Sequence, residues 1–207
     1  LTLNGGSYEG SNWGGTVDKY PRYALRNNGT MVIKGDTIVK GDFGAMGLYN
    51  NSSTIIDGGL FVTNEDMGKD GKEWTHHTVW AGGSSELTIN GGIFQNLDPS
   101  TSGSVITDGT TGKVTINGGT YSGGHGSNIN DYGYGGTIVV NYGKFESIDV
   151  RIVVDGSIVY IKDVPYLKEK GAFTAVNAYV AGSDGVNTYC KTLDDAISLA
   201  SNGDTIV

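Results

Sequence analysis

One motif recurs six times along the chain, and it constrains the fold more than any other feature. The clearest copy is Leu87-Thr88-Ile89-Asn90-Gly91-Gly92-Ile93-Phe94. Leu1-Thr2-Leu3-Asn4-Gly5-Gly6-Ser7-Tyr8 and Val114-Thr115-Ile116-Asn117-Gly118-Gly119-Thr120-Tyr121 match it closely. Thr54 to Phe61 and Ile138 to Phe145 are looser copies, and Met31 to Ile38 is a degenerate one. Inside each copy apolar and polar residues alternate, the period of a half-buried strand. Leu87 and Ile89 stand against Thr88, as Val114 and Ile116 do against Thr115. The Asn/Asp-Gly pair then ends the strand, because these residues tolerate positive φ. Four places after the Asn position comes an aromatic or aliphatic residue (Tyr8, Ile38, Phe61, Phe94, Tyr121, Phe145) that is expected to return to the core.

The Asn-equivalent positions are 4, 34, 57, 90, 117 and 141, in steps of 30, 23, 33, 27 and 24 residues. A repeat of this length, unable to bury its own face alone, is the mark of a stacked array. Hairpins would give no reason for one motif in every unit. With no helical pattern between the copies, a parallel β-helix is favoured over leucine-rich or propeller forms. A further strand precedes each copy: Ala24 to Asn28, Gly47 to Asn51, Val79 to Gly83, Val105 to Gly109 and Asn128 to Tyr132 line up. Each unit reads strand, polar turn, strand, Asn-Gly turn, short aromatic strand, variable loop.

The repeated φ-Thr-φ-Asn-Gly-Gly-x-Phe/Tyr motif resembles the right-handed parallel β-helix of pectin-lyase-like proteins, over roughly residues 1–160. More narrowly it is similar to repeats of large surface proteins of Gram-positive gut bacteria. The fold class expected is therefore all-β, a right-handed parallel β-helix solenoid of about five to six coils over residues 1–163. Residues 164–188 are expected to form transition strands, and residues 189–207 the start of a following module. There, residues 192–201 hold the one good helix pattern. Thr192 is its N-cap, the Asp194-Asp195 pair suits the first turn, and Gly203 suits the stop. Leu193, Ala196, Ile197 and Ala200 make an apolar stripe. The segment Tyr189 to Val207 resembles the helix that opens a new module in those surface proteins. That implies tandem modules, as does a chain that opens and closes inside strand-like runs.

Composition narrows the function classes. Gly is abundant at 35 residues, Pro scarce at 3, and charged residues make up 17%. Turn-dense β structure explains this better than disorder, since the apolar residues are periodic. A net charge of −8 opposes binding to nucleic acid through bulk electrostatics. Lone Cys190 excludes an internal disulfide framework. No apolar run reaches membrane-spanning length, so no membrane insertion is expected of these residues.

Variable segments at residues 9–20, 64–77, 96–103 and 122–127 all follow the aromatic strand and are expected to emerge along one side. They gather Trp13, Asp66, Asp70, Glu73, Trp74, His76, His77 and His125, the candidate ligand-binding residues. Trp13 and Trp74 offer flat apolar faces for a sugar ring, while the acids and histidines suit its hydroxyls. Asp66, Asp70 and Glu73 could supply a carboxylate pair for glycosidic cleavage. However, Arg is scarce and the pectate-lyase Asp and Arg motifs have no counterpart, so no catalytic residue is assigned. Adjacent His76 and His77 would point apart on a strand, a poor spacing for a metal. Asp66 to Gly71 has some calcium-loop character without the full pattern, so no cofactor is implied, Ca²⁺ being the one ion entertained. The expected function is a non-catalytic module of an extracellular, cell-surface protein. It would serve as adhesin or stalk, with a glycan, a host or cell-surface protein, and neighbouring modules of the same polypeptide as partners. The alternative is a polysaccharide-active lyase or glycoside hydrolase.

Overall fold

The computed structural model describes residues 1–10, 23–42, 44–64, 77–97, 105–108, 112–124, 126–130 and 136–207. These are mostly strand, with one short α-helix near the C-terminus. Three parallel sheets account for most of the strands. The first runs Thr2–Asn4, Thr30–Lys34, Ser53–Ile56, Glu86–Ile89, Lys113–Ile116, Thr137–Val140. The second begins Ser7–Gly10, Ile38–Gly41, Leu60–Thr63, Ile93–Asn96, Thr120–Gly123, Lys144–Phe145. The third holds Leu25–Asn27, Met46–Leu48, Val79–Ala81, Ile106–Asp108 and Ile129–Asn130. The chain visits the third, first and second sheets in a fixed cycle, so each strand pairs with its counterpart one cycle away.

Parallel pairing in register stacks like on like. In the first sheet Leu3, Ile33, Ile56, Ile89, Ile116 and Val140 form one inward column. In the second, Tyr8, Val39, Phe61, Phe94, Tyr121 and Phe145 form another. Both columns meet inward residues of the third sheet in a single core. Strands of a sheet lie about 4.8 Å apart, which suits aromatic rings stacked along the column. The rings of Phe61, Phe94, Tyr121 and Phe145 stack successively at 4.8, 5.1 and 4.9 Å, within 11° of parallel. Tyr121 keeps its buried hydroxyl satisfied by donating to the Gly118 carbonyl at 2.7 Å.

The Asn-Gly-Gly turn takes its positive φ at glycine, where the sequence leaves Asn and Gly both able to supply it. Around Asn90 and Asn117 it is the second glycine that does so, with φ of +114° at Gly92 and +100° at Gly119. The first glycine is needed for closeness: a Cβ on Gly118 would stand 2.3 Å from the Asn90 carbonyl oxygen. The asparagines instead form a side-chain ladder. Asn141 donates to Asn117 at 2.8 Å, Asn117 to Asn90 at 2.9 Å, and Asn90 to the Asp57 carboxylate at 2.8 Å.

Two register expectations are corrected. Val39, not Ile38, stands in the aromatic column, and Ile38 is only half-buried. The turn after Lys34 is one residue longer, and Thr37 fills it. Its buried hydroxyl donates to the Lys34 carbonyl at 2.8 Å and accepts from the Gly5 amide at 2.9 Å. In the third sheet Leu25 pairs with Met46 rather than Leu48. The two Asn-Asn pairs that suggested the other alignment do different work. Asn27 ends its strand with a buried side chain that donates to Thr54 Oγ1 at 2.8 Å, whereas Asn50 and Asn51 take positive φ in a longer turn. The Asn27 bond also explains how Thr54 fits an otherwise apolar column beside Met31 and Leu87.

Beyond Phe145 the pattern changes. Ile158–Ile161 still joins the second sheet in parallel, but Val164–Glu169 and Ala172–Ala175 add antiparallel. Buried Lys168 ties this hairpin down, its Nζ donating to the Val153 carbonyl at 3.0 Å and pairing with Asp155 at 2.6 Å. Ala178–Ala181 then pairs antiparallel with Asn187–Cys190 and Thr205–Ile206, beside the helix Leu193–Leu199. Thr192 caps that helix, accepting from the Asp195 amide at 3.1 Å. The expected stripe is buried only in part. Ala196 packs with Ala178, Val180 and Cys190, and Ala200 lies against them, while Leu193 and Ile197 are each 56% exposed. A seven-residue helix meets a three-stranded sheet along a narrow line, which covers one edge of the stripe.

Three substitutions test this architecture by chemical denaturation. Phe94→Ala is expected to cost about 3–5 kcal/mol, because it opens a cavity in the middle of the ring stack. Gly118→Ala is expected to cost about 1–3 kcal/mol from overlap with the Asn90 carbonyl. Gly29→Ala, whose Cβ meets nothing within 4 Å, should stay within about 0.5 kcal/mol.

Candidate functional site

Every variable segment joins the second sheet to the third. The residues where they leave are stacked: Asp42 N donates to Gly10 O at 3.1 Å, Asn64 N to Gly41 O at 3.1 Å, Leu97 N to Thr63 O at 3.0 Å and Gly124 N to Asn96 O at 3.0 Å. Where they return, Ala24 N donates to Gly44 O at 3.2 Å, Ala45 N to Thr78 O at 3.0 Å and Val79 N to Val105 O at 2.9 Å. Departures and returns therefore each follow one edge of the scaffold. The neck of the longest segment is closed by the buried hydroxyls of Thr63 and Thr78, 3.2 Å apart, with Thr78 donating onward to Gln95 O at 2.9 Å. Asn64 adds a bond to the Asp42 carboxylate at 2.9 Å. The last segment is held by buried Asn128, which donates to Gly123 O at 2.9 Å and accepts from the amides of Glu146 and Ser147.

Of the candidate residues named from the sequence, Trp13, Asp66, Asp70, Glu73, Trp74, His76 and His125 lie outside the described residues. His77 is described and is buried at 6% exposure, at the foot of its segment. Among the described residues no three His, Cys, Asp or Glu side chains gather as a metal site.

Beside the return edge lies a group that sequence reasoning passed over. Trp80 points outward between inward Val79 and Ala81. Its register neighbour is Gly47, and the next residue in the row is Arg26. The ring of Tyr23 lies over Gly47, parallel to the indole of Trp80 within 6° at 6.4 Å. Tyr49 meets Trp80 edge-on at 5.0 Å and Tyr23 at 6.5 Å. The Arg26 guanidinium sits 4.1 Å above the Tyr49 ring. The three rings are half-buried and Arg26 is exposed. Tyr23 is the first described residue after the segment at 11–22, and the His77 carbonyl lies close to Gly44, against which Tyr23 also packs. The ring cluster thus adjoins the roots of the segments that carry Trp13 and Trp74. The signal available in the sequence was a Trp at the outward position of a strand, between Val79 and Ala81.

Burial pushes the Tyr23 phenol well above its usual range, with Tyr49 beside it adding to the effect. Tyr49 is raised by burial as well, and the Arg26 charge opposes that rise. An open cleft of about 370 Å³ lies elsewhere, between the hairpin at Leu167 and Glu169 and the helix at Asp195 and Leu199. The Lys191–Glu169 ion pair at 2.7 Å joins two of its lining residues. Comparisons of the chain with models of known families, with characterised proteins and with solved structures find no match in any of the three.

The sign of the Tyr23 shift gives a test. A phenol whose folded pKa is raised contributes its full stabilisation below the unfolded value of about 10 and loses it as pH climbs toward the folded value. The fall in thermal midpoint between about pH 9 and about pH 11 should therefore be smaller in Tyr23→Phe than in the parent chain.

Proposed function

We propose that this chain is a non-catalytic binding and stalk module of an extracellular, cell-surface protein, built as a right-handed parallel β-helix of about five to six coils. The observation that carries this reading is the cyclic visiting of three parallel sheets, with every variable segment rooted on one edge. Such a scaffold holds its shape through stacked columns and leaves the roots of its loops in a line. Loops on a rigid frame are where binding groups concentrate. The likeness of the repeated motif to surface-protein repeats of Gram-positive gut bacteria supports an extracellular setting and tandem modules. Glycans, or a host or cell-surface protein, are the partners proposed.

Glycosidic hydrolysis needs two carboxyl groups held roughly 5–9.5 Å apart across a bound sugar. Glu146, a described acid at this edge, accepts from the Gly123 amide at 2.8 Å. Electrophoresis through gels carrying a panel of polysaccharides, with calcium present, tests the reading. The expected result is retardation by an intact glycan whose length distribution is unchanged after incubation with the protein. Shortening of the glycan would replace this reading with that of a polysaccharide-active enzyme. Free migration through every gel would reduce the function to a stalk or to protein binding.

A further inference from the structure

We propose that the cluster of Tyr23, Tyr49 and Trp80 with Arg26, on the outer face of the third sheet, is a carbohydrate site that takes a pyranose ring of a glycan. The inference rests on the binding-module reading above and gives it a definite place on the scaffold, built from residues other than Trp13 and Trp74.

The backbone is cleared to seat these rings. A Cβ on Gly47 would stand 2.5 Å from the Tyr23 ring and 2.8 Å from that of Tyr49, and one on Gly82 would stand 2.1 Å from the indole of Trp80. Any other residue at either glycine would displace the cluster. Each ring also meets the other two, at 5.0 to 6.5 Å between centroids. Binding therefore does not have to order loose side chains, which is a large part of the cost of association.

The chemistry of the cluster matches a sugar ring. An indole and two phenol rings offer apolar surface for C–H groups, and the Tyr49 hydroxyl offers a polar contact. Arg26 stacks on Tyr49 and has no ion-pair partner among the described residues, so its N–H donors are available to ring hydroxyls. Asn28, Asn50 and Asn51 are exposed in the turns that follow these strands. Size selects among partners. A standard protein interface buries about 800 Å² on each side, well beyond three half-buried rings, whereas one sugar ring is comparable to one indole. A nucleic acid, which could also stack on rings, is opposed by the net charge of −8.

The chain has 3 Trp, so replacing Trp13 and Trp74 with Phe leaves Trp80 as its sole tryptophan. A glycan array probed with this variant identifies the tightest-bound sugar, which is then titrated while Trp80 emission is followed. A saturable change in emission is expected. Trp80→Ala in the parent chain should weaken binding about 30-fold, as loss of a central aromatic anchor does. Arg26→Gln, at an exposed position that leaves the fold intact, should weaken it about 3- to 10-fold. Thermal melting of both variants shows whether the fold is kept, and the Arg26 result stands even if Trp80→Ala unfolds. Undiminished binding in Arg26→Gln with unchanged Trp80 emission would overturn this site while leaving a glycan-binding module that works through its loops. If no sugar on the array is bound by the parent chain, the site falls together with the glycan part of the reading.

Discussion

In-register parallel hydrogen bonding between successive cycles is the interaction on which the rest of the structure depends. It places each residue of one cycle over its counterpart in the next at strand spacing, so a residue type must suit its own copy as a neighbour. Aromatic rings, branched aliphatics and carboxamides meet that condition. Each makes its own column: Phe61 to Phe145, Leu3 to Val140, and the Asn ladder that ends on Asp57. The same stacking forbids a side chain where two turns touch, which is why Gly118 lies against the Asn90 carbonyl. Where the column rule is broken, a specific partner repairs it, as Asn27 does for Thr54.

Register also confines variation. A residue inserted within a strand would shift every side chain after it to the opposite face, so length differences collect where no column runs. In this chain that place is the junction from the second sheet to the third. Its roots are secured by side-chain bonds at Thr63, Thr78, Asn64 and Asn128. A rigid edge bearing segments of different lengths lets surface chemistry change without disturbing the core. The ring cluster beside it shows that the sheet face itself also carries groups beyond those needed for pairing.

The array ends by changing the rule. After Phe145 the second sheet accepts two antiparallel strands, which need no counterpart in a further cycle. Lys168 secures that hairpin by satisfying the Val153 carbonyl, and its charge is met by Asp155. Pairing holds the Asp155 carboxyl below its usual range, chiefly through the hydrogen bond from Lys168. A buried lysine is tolerated here because both a carbonyl and a carboxylate receive it.

The sequence by itself determined the strands, their inward faces and the order in which they recur. These follow from a two-residue alternation and a repeated turn, both local properties. It also marked the segments that vary and the Thr192 cap. Tertiary structure alone decided which copies align. The one-residue difference that puts Val39 in the column, and the separate duties of Asn27 and of Asn50-Asn51, depend on turn lengths whose fit is judged only against the neighbouring cycle. The ring cluster was hidden for the same reason. Tyr23, Tyr49 and Trp80 are distant in the chain and come together because register brings Gly47 beside Trp80 and opens the space above it. The partial burial of the C-terminal helix likewise needed its partner sheet, since a stripe records which residues can be buried, and only the facing surface decides how many are.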